Sequence, residues 1–164
     1  MPTASHQAIA QDKTIYNKDF YAWTQQQAAL IVAGDWQNID GLNIAEEIES
    51  LGKQQRREMR NRLSILLAHL LKWEYQSQKR SRSWLATIRV QRRDLLRLIK
   101  ESPSLKSYLD EAIAEAYLDA KDLAVGETNL PSTTFPTHCP YKWNEIADEQ
   151  FYPGEPDELQ DEWS

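Results

Sequence analysis

Arginine supplies the first chemistry this sequence could perform. Arg82, Arg89, Arg93, Arg97 and Lys100 fall close to one line along a helix, within about 80° of each other at about 100° per residue. A guanidinium is a planar fork that donates two parallel hydrogen bonds, so such a line is a phosphate-binding surface in waiting. Lys53, Arg57 and Arg60 repeat the pattern upstream. The commoner use of a basic run is pairing with the protein's own acids or plain solvation. No helix-turn-helix, zinc finger or aromatic β-platform accompanies the arginines, so nucleic-acid association is the alternative reading and not the first.

A second group could meet inside a helical core: Glu46, Glu49, His69, Lys72 and Arg92. Arg92 projects nearer the apolar side than its basic neighbours. A buried arginine needs an acidic partner, and Glu46 or Glu49 is the expected one. His69 lies about 90° from the centre of its apolar stripe and is expected to hydrogen-bond a neighbour. A di-iron bundle requires Glu-x-x-His, but Leu66 stands three residues before His69, and His6 and His138 fall outside the helical pattern. His138 and Cys139 are adjacent and point apart in an extended chain, which makes a poor catalytic pair. The five glycines are scattered and form no phosphate-cradling loop. No catalytic residue, metal or cofactor is therefore expected, and an enzyme is the third reading.

Helices must position these groups. Asn17 is a fair cap for a first helix carrying Phe20, Trp23, Gln27, Leu30 and Ile31, with Gly34 as its stop. Asp40 or Asn43 opens a second. Its apolar residues Ala45, Ile48, Met59, Leu63, Leu66 and Leu70 share one side, which predicts a single long helix reaching Tyr75, with a weak point at Gly52. Ser83 is expected to cap the arginine-bearing helix. Ser102 and Pro103 open another with Ala112, Ala116 and Ala120 spaced every four residues, ended by Gly126. A loop broken by Pro131, Pro136 and Pro140 follows, then a short helix from Trp143 to Ala147. No stretch alternates with period two. The expected architecture is all-α: a single-domain bundle of about four to five helices, with residues 1–16 a flexible lead, 17–152 the helical domain and 153–164 a disordered acidic tail.

Composition limits the partners. The net charge is −6, yet residues 53–100 hold 14 Lys and Arg against three acids, and the remainder carries five basic and 22 acidic residues. Opposite charge on two parts of one chain favours self-association or a protein partner of complementary sign. One cysteine precludes an internal disulfide and points to a reducing, cytoplasmic setting. The apolar runs are far too short to span a bilayer, and residues 1–13 lack the apolar stretch of a secretory signal, so no membrane role is expected.

Several separated blocks are similar to an uncharacterised bacterial family. Residues 16–30 (YNKDFYAWTQQQAAL), 44–52 (IAEEIESLG), 69–75 (HLLKWEY), 80–88 (RSRSWLATI) with Gln91-Arg92-Arg93, and 102–105 (SPSL) carry the likeness. Phe135-Pro136 and Cys139-Pro140-Tyr141 extend it. The family is the helical domain of unknown function twenty-nine. The resemblance implies a helical fold and no particular activity. The first reading is thus a protein-interaction module with a basic helical surface, centred on Arg82, Arg89, Arg93, Arg97 and Lys100.

Overall fold

The structure, a computed structural model, describes residues 15–161. Among them every regular element is helical, in agreement with the all-α expectation: α1 (Phe20–Ala33), α2 (Gly41–Tyr75), α3 (Arg82–Glu101), α4 (Leu109–Thr128), α5 (Trp143–Ala147) and α6 (Glu158–Asp161), with short 3-10 turns between some of them. No helix among the described residues is long and apolar enough to cross a membrane. The chain divides into two compact units, Met1–Lys53 and Gln54–Ser164. The single helix α2 runs without interruption through Gly52, as its i,i+4 acid–base pairs predict.

In the first unit, residues 15–18 are helical, including the last two positions of the expected lead; residues 1–14 lie outside the described residues. Asp19, and not Asn17, caps α1 by accepting the Ala22 amide at 3.0 Å. Gly34 ends that helix in the left-handed conformation with φ 71°, donating to the Ile31 and Leu30 carbonyls. Tyr16, Phe20 and Trp23 form an aromatic cluster with ring centroids 4.8–5.8 Å apart. The Tyr16 hydroxyl donates to Glu47 at 2.6 Å, a bond that pushes its pKa up to about 12. Gln27 is buried and accepts the Asp40 amide at 2.7 Å, tying α1 to the start of α2, where Asp40 is the cap. Among the described residues of this unit, Trp23 is the only apolar side chain that is buried.

The second unit holds the core. From Met59 onward α2 contributes Leu63, Leu66, Leu67, Leu70, Leu71 and Trp73, each fully enclosed, against Leu85, Ile88 and Leu95 of α3. Ala112, Ala116, Ala120 and Ala124 of α4 are likewise buried in the same core, and these small residues let the helix axes approach closely. Arg60–Glu115 at 2.8 Å and Lys72–Glu127 pin α4 alongside α2 in the same direction. The cap of α3 is Ser81, two residues earlier than Ser83, accepting the Trp84 amide at 3.3 Å. Pro103 begins a 3-10 turn (Pro103–Tyr108) that precedes α4 proper. α4 passes through Gly126 and stops at Asn129, whose φ of 56° puts it in the left-handed region.

Residues 153–161 depart from the disordered tail expected there; residues 162–164 lie outside the described residues. Pro153 is buried and Leu159 packs against the core. Arg80, almost wholly enclosed, donates from Nη1 to the Glu155 carbonyl at 2.7 Å, from Nη2 to the Pro153 carbonyl at 3.4 Å and from Nε to the Trp73 carbonyl at 2.8 Å. Its Nη1 also pairs with Asp157 at 3.4 Å, and its guanidinium lies 4.9 Å from the centre of the Trp73 ring. The acidic composition was misleading because one buried cation and one leucine suffice to dock a short segment.

Candidate functional site

Burial sorts the basic residues. Arg62 bridges Glu58 and Asp94 at 2.9 Å each, and Arg97 reaches Asp94 at 3.0 Å. Arg56 lies over the Tyr108 ring at 4.8 Å from its centre. Most of the long positive stretch is thus spent on the protein's own acids and aromatics. Of the five residues expected to form a binding line, only Arg89 and Arg93 line a cleft. Arg82 and Lys100 are exposed outside it, and Arg97 is held by Asp94.

Arg92 lines the same cleft. It sits on α3 between Ile88 and Leu95, on the face buried by the core, and is only 1% exposed. The expected partners Glu46 and Glu49 belong to the first unit, where Glu46 is exposed and Glu49 pairs with Lys53 at 3.9 Å. Instead Arg92 Nε donates to the Ile146 carbonyl at 2.8 Å and Nη2 to the Phe151 carbonyl at 3.0 Å. Nη1 is buried without a hydrogen-bond partner, and no described carboxylate lies within ion-pair distance of this guanidinium. Its carbon is 5.5 Å from the centre of the Tyr152 ring. Burial lowers the Arg92 pKa, opposed by Tyr152, Asp148 and Glu149. Burial raises the Tyr152 hydroxyl, partly offset by Arg92 and Arg89. Arg89, Arg93, Glu149, Gln150, Gln160 and Asp161 complete a cleft of about 480 Å³.

The rest of the expected polar cluster forms a separate group. Lys72 is 3% exposed, pairs with Glu127 and lies 4.7 Å from the centre of the Trp84 ring. Its ammonium also contacts His69 Nε2 at 3.3 Å, while His69 Nδ1 contacts the Ile65 carbonyl at 2.9 Å. A carbonyl only accepts, so Nδ1 carries the proton and the neutral ring accepts from Lys72. Burial lowers the His69 pKa in keeping with that state. His69, expected as a boundary histidine bonded to a neighbour, is one. Among the described residues no group of three or more His, Cys, Asp or Glu could hold a metal.

Glu127, Tyr152 and the two carbonyl anchors escaped the sequence reading. Glu127 stands 55 positions from Lys72, and backbone carbonyls have no residue signature at all. The one usable signal was the FYP run at residues 151–153, apolar and aromatic at the border of the expected acidic tail.

Fold and cleft together define a helical protein with a cationic cleft. The chain belongs to the family described as domain of unknown function DUF29, whose model matches residues 15–152. No curated protein matches the chain. No solved structure matches it either.

Proposed function

We propose that this protein is an interaction module that associates with a second copy of itself through α1 and the first four turns of α2. The observation that carries the reading is the apolar surface of these elements. Val32 is 89% exposed, Leu42 78%, Tyr21 75%, Trp36 65%, Ile48 63% and Leu51 62%. So many exposed large apolar side chains among residues 15–53 go beyond the scattered exposure normal for a monomer. On α2, Ile44, Ile48 and Leu51 recur at i, i+4, i+7, the spacing of a helix–helix seam.

Charge order on α2 selects the occupant. The helix runs from acidic (Glu46, Glu47, Glu49) to basic (Lys53, Arg56, Arg57). A second copy laid antiparallel over Leu51 sets each acidic turn against a basic one, whereas a parallel copy opposes like charges. An isologous contact of this kind closes as a dimer.

Sedimentation velocity of the full chain tests the proposal. A concentration-dependent dimer is expected, with Ile48→Glu/Leu51→Glu monomeric while its helical circular dichroism persists. Glu46→Arg/Glu47→Arg and Arg56→Glu/Arg57→Glu are each expected to dimerise poorly alone and to pair when mixed. A monomeric wild type at about 100 μM, or a dimer indifferent to both sets of changes, overturns it.

A further inference from the structure

We propose that the cleft around Arg92 is a binding site for a small phosphorylated molecule. The two enclosed arginines of the second unit make the case by contrast. Arg80 and Arg92 are both held by backbone carbonyls of the segment that follows α5 or α5 itself. Arg80 additionally has a carboxylate, Asp157, and every nitrogen has an acceptor. Arg92 has no such ion pair: two neutral carbonyls hold it, Nη1 has no acceptor, and Asp148 and Glu149 act on it only from a distance. A buried guanidinium without a directly bonded counter-charge is costly, and a bound anion reduces that cost.

The surroundings favour phosphate over a lone carboxylate. Arg89 and Arg93 lie one turn before and one residue after Arg92 on α3, so three guanidinium groups line the same cleft. A tetrahedral dianion offers oxygens in three directions, while a planar carboxylate offers two. The volume, about 480 Å³, exceeds that of a bare anion and falls in the ordinary range for small-ligand pockets, roughly 300–1,000 Å³. Gln150 and Gln160 add polar side chains to the lining, and Tyr152 supplies an aromatic wall. Glu149 and Asp161 also line the cleft. They oppose an anion, and that opposition gives the site a second, opposite-signed handle. A cleft of this size with acids at its edge suits a compact ligand and repels the extended phosphate track of a duplex.

Isothermal titration at constant ionic strength with glucose 6-phosphate, inorganic phosphate and glucose, on the full chain, tests the assignment. Glucose 6-phosphate should bind, inorganic phosphate more weakly, and glucose not at all. Arg93→Gln, an exposed side chain, should weaken glucose 6-phosphate binding about fivefold, and Glu149→Gln should tighten it by a similar factor, both with unchanged melting temperature. No heat with either phosphate up to about 10 mM, an Arg93→Gln variant that binds as wild type, or weaker binding by Glu149→Gln overturns the proposal. So does tighter binding of a short DNA duplex than of glucose 6-phosphate, which would make the arginines a nucleic-acid surface.

Discussion

Replacing Arg80 by alanine should release the 153–161 segment and cost about 3 kcal/mol of unfolding free energy. The side chain is 3% exposed and makes three bonds to carbonyls, one ion pair and one cation–π contact. A hydrogen bond from a charged donor contributes about 1.5–3 kcal/mol, and an enclosed cation–π contact about 1–2 kcal/mol. These do not add. The Pro153 and Glu155 carbonyls regain water once the segment lifts, and Asp157 is a quarter exposed. What is not recovered is the bond to the Trp73 carbonyl and the packing on the Trp73 ring, which together with part of the ion pair give about 3 kcal/mol. Urea unfolding followed by tryptophan fluorescence and circular dichroism measures it. A thermal shift of about 10 °C is the equivalent in a chain of this size. Hydrogen exchange should show faster exchange in residues 153–161 and little change in α2 beyond its last turn. A loss below about 1 kcal/mol, with protection of residues 153–161 unchanged, would show that Arg80 does not hold the segment.

Three further outcomes are expected. Gly154→Ala should destabilise by about 1–2 kcal/mol, since φ is +83° and the added Cβ would stand 3.0 Å from Arg80 Nη2; urea unfolding measures it, and a stable variant refutes the contact. Gly52→Ala should stabilise by about 1 kcal/mol, because nothing lies within 4 Å of the new methyl in mid-helix; a loss of stability in the same assay would mean the glycine is needed. His69 is neutral in the fold, its pKa lowered by burial, so the unfolded chain binds the proton more readily. Stability from this group is present above the unfolded histidine value and is lost as pH falls through the lower folded one. Melting temperatures at a series of pH values from 7.5 down to 5 should therefore fall less steeply in His69→Gln than in wild type, and parallel curves would refute the assignment.

The helical framework was legible because periodicity reports burial directly. The stripe from Met59 to Leu70, the alanines of α4 and the short helix at Trp143 all sit where their spacing puts them. The persistence of α2 through Gly52 was legible for the same reason: one residue's propensity is outweighed by the pattern on both sides. Boundaries were less so. Ser81 and Ser83 are both competent caps, as are Asn17 and Asp19, and the choice is made by geometry beyond the local sequence. Gly126 failed as a stop because nothing there demands a positive φ, and Asn129 supplies one instead. At the site, the burial of Arg92 was readable from its angular position, but its partners were not. A carboxylate can be sought in a sequence, whereas the Ile146 and Phe151 carbonyls belong to residues chosen for other reasons.

Anchoring through main-chain oxygens makes the two ends of each contact unequal under mutation. Ile146, Phe151, Pro153 and Glu155 each present a carbonyl to an arginine, and almost any residue would present the same oxygen. Random mutagenesis should therefore find the arginine ends intolerant, while the receiving side is constrained only by packing and backbone shape. The closing segment is in effect a strap whose buckle is written in helix α3 and the turn before it. Its surface chemistry, including the acids at the rim of the cleft, can be rewritten without unfastening it.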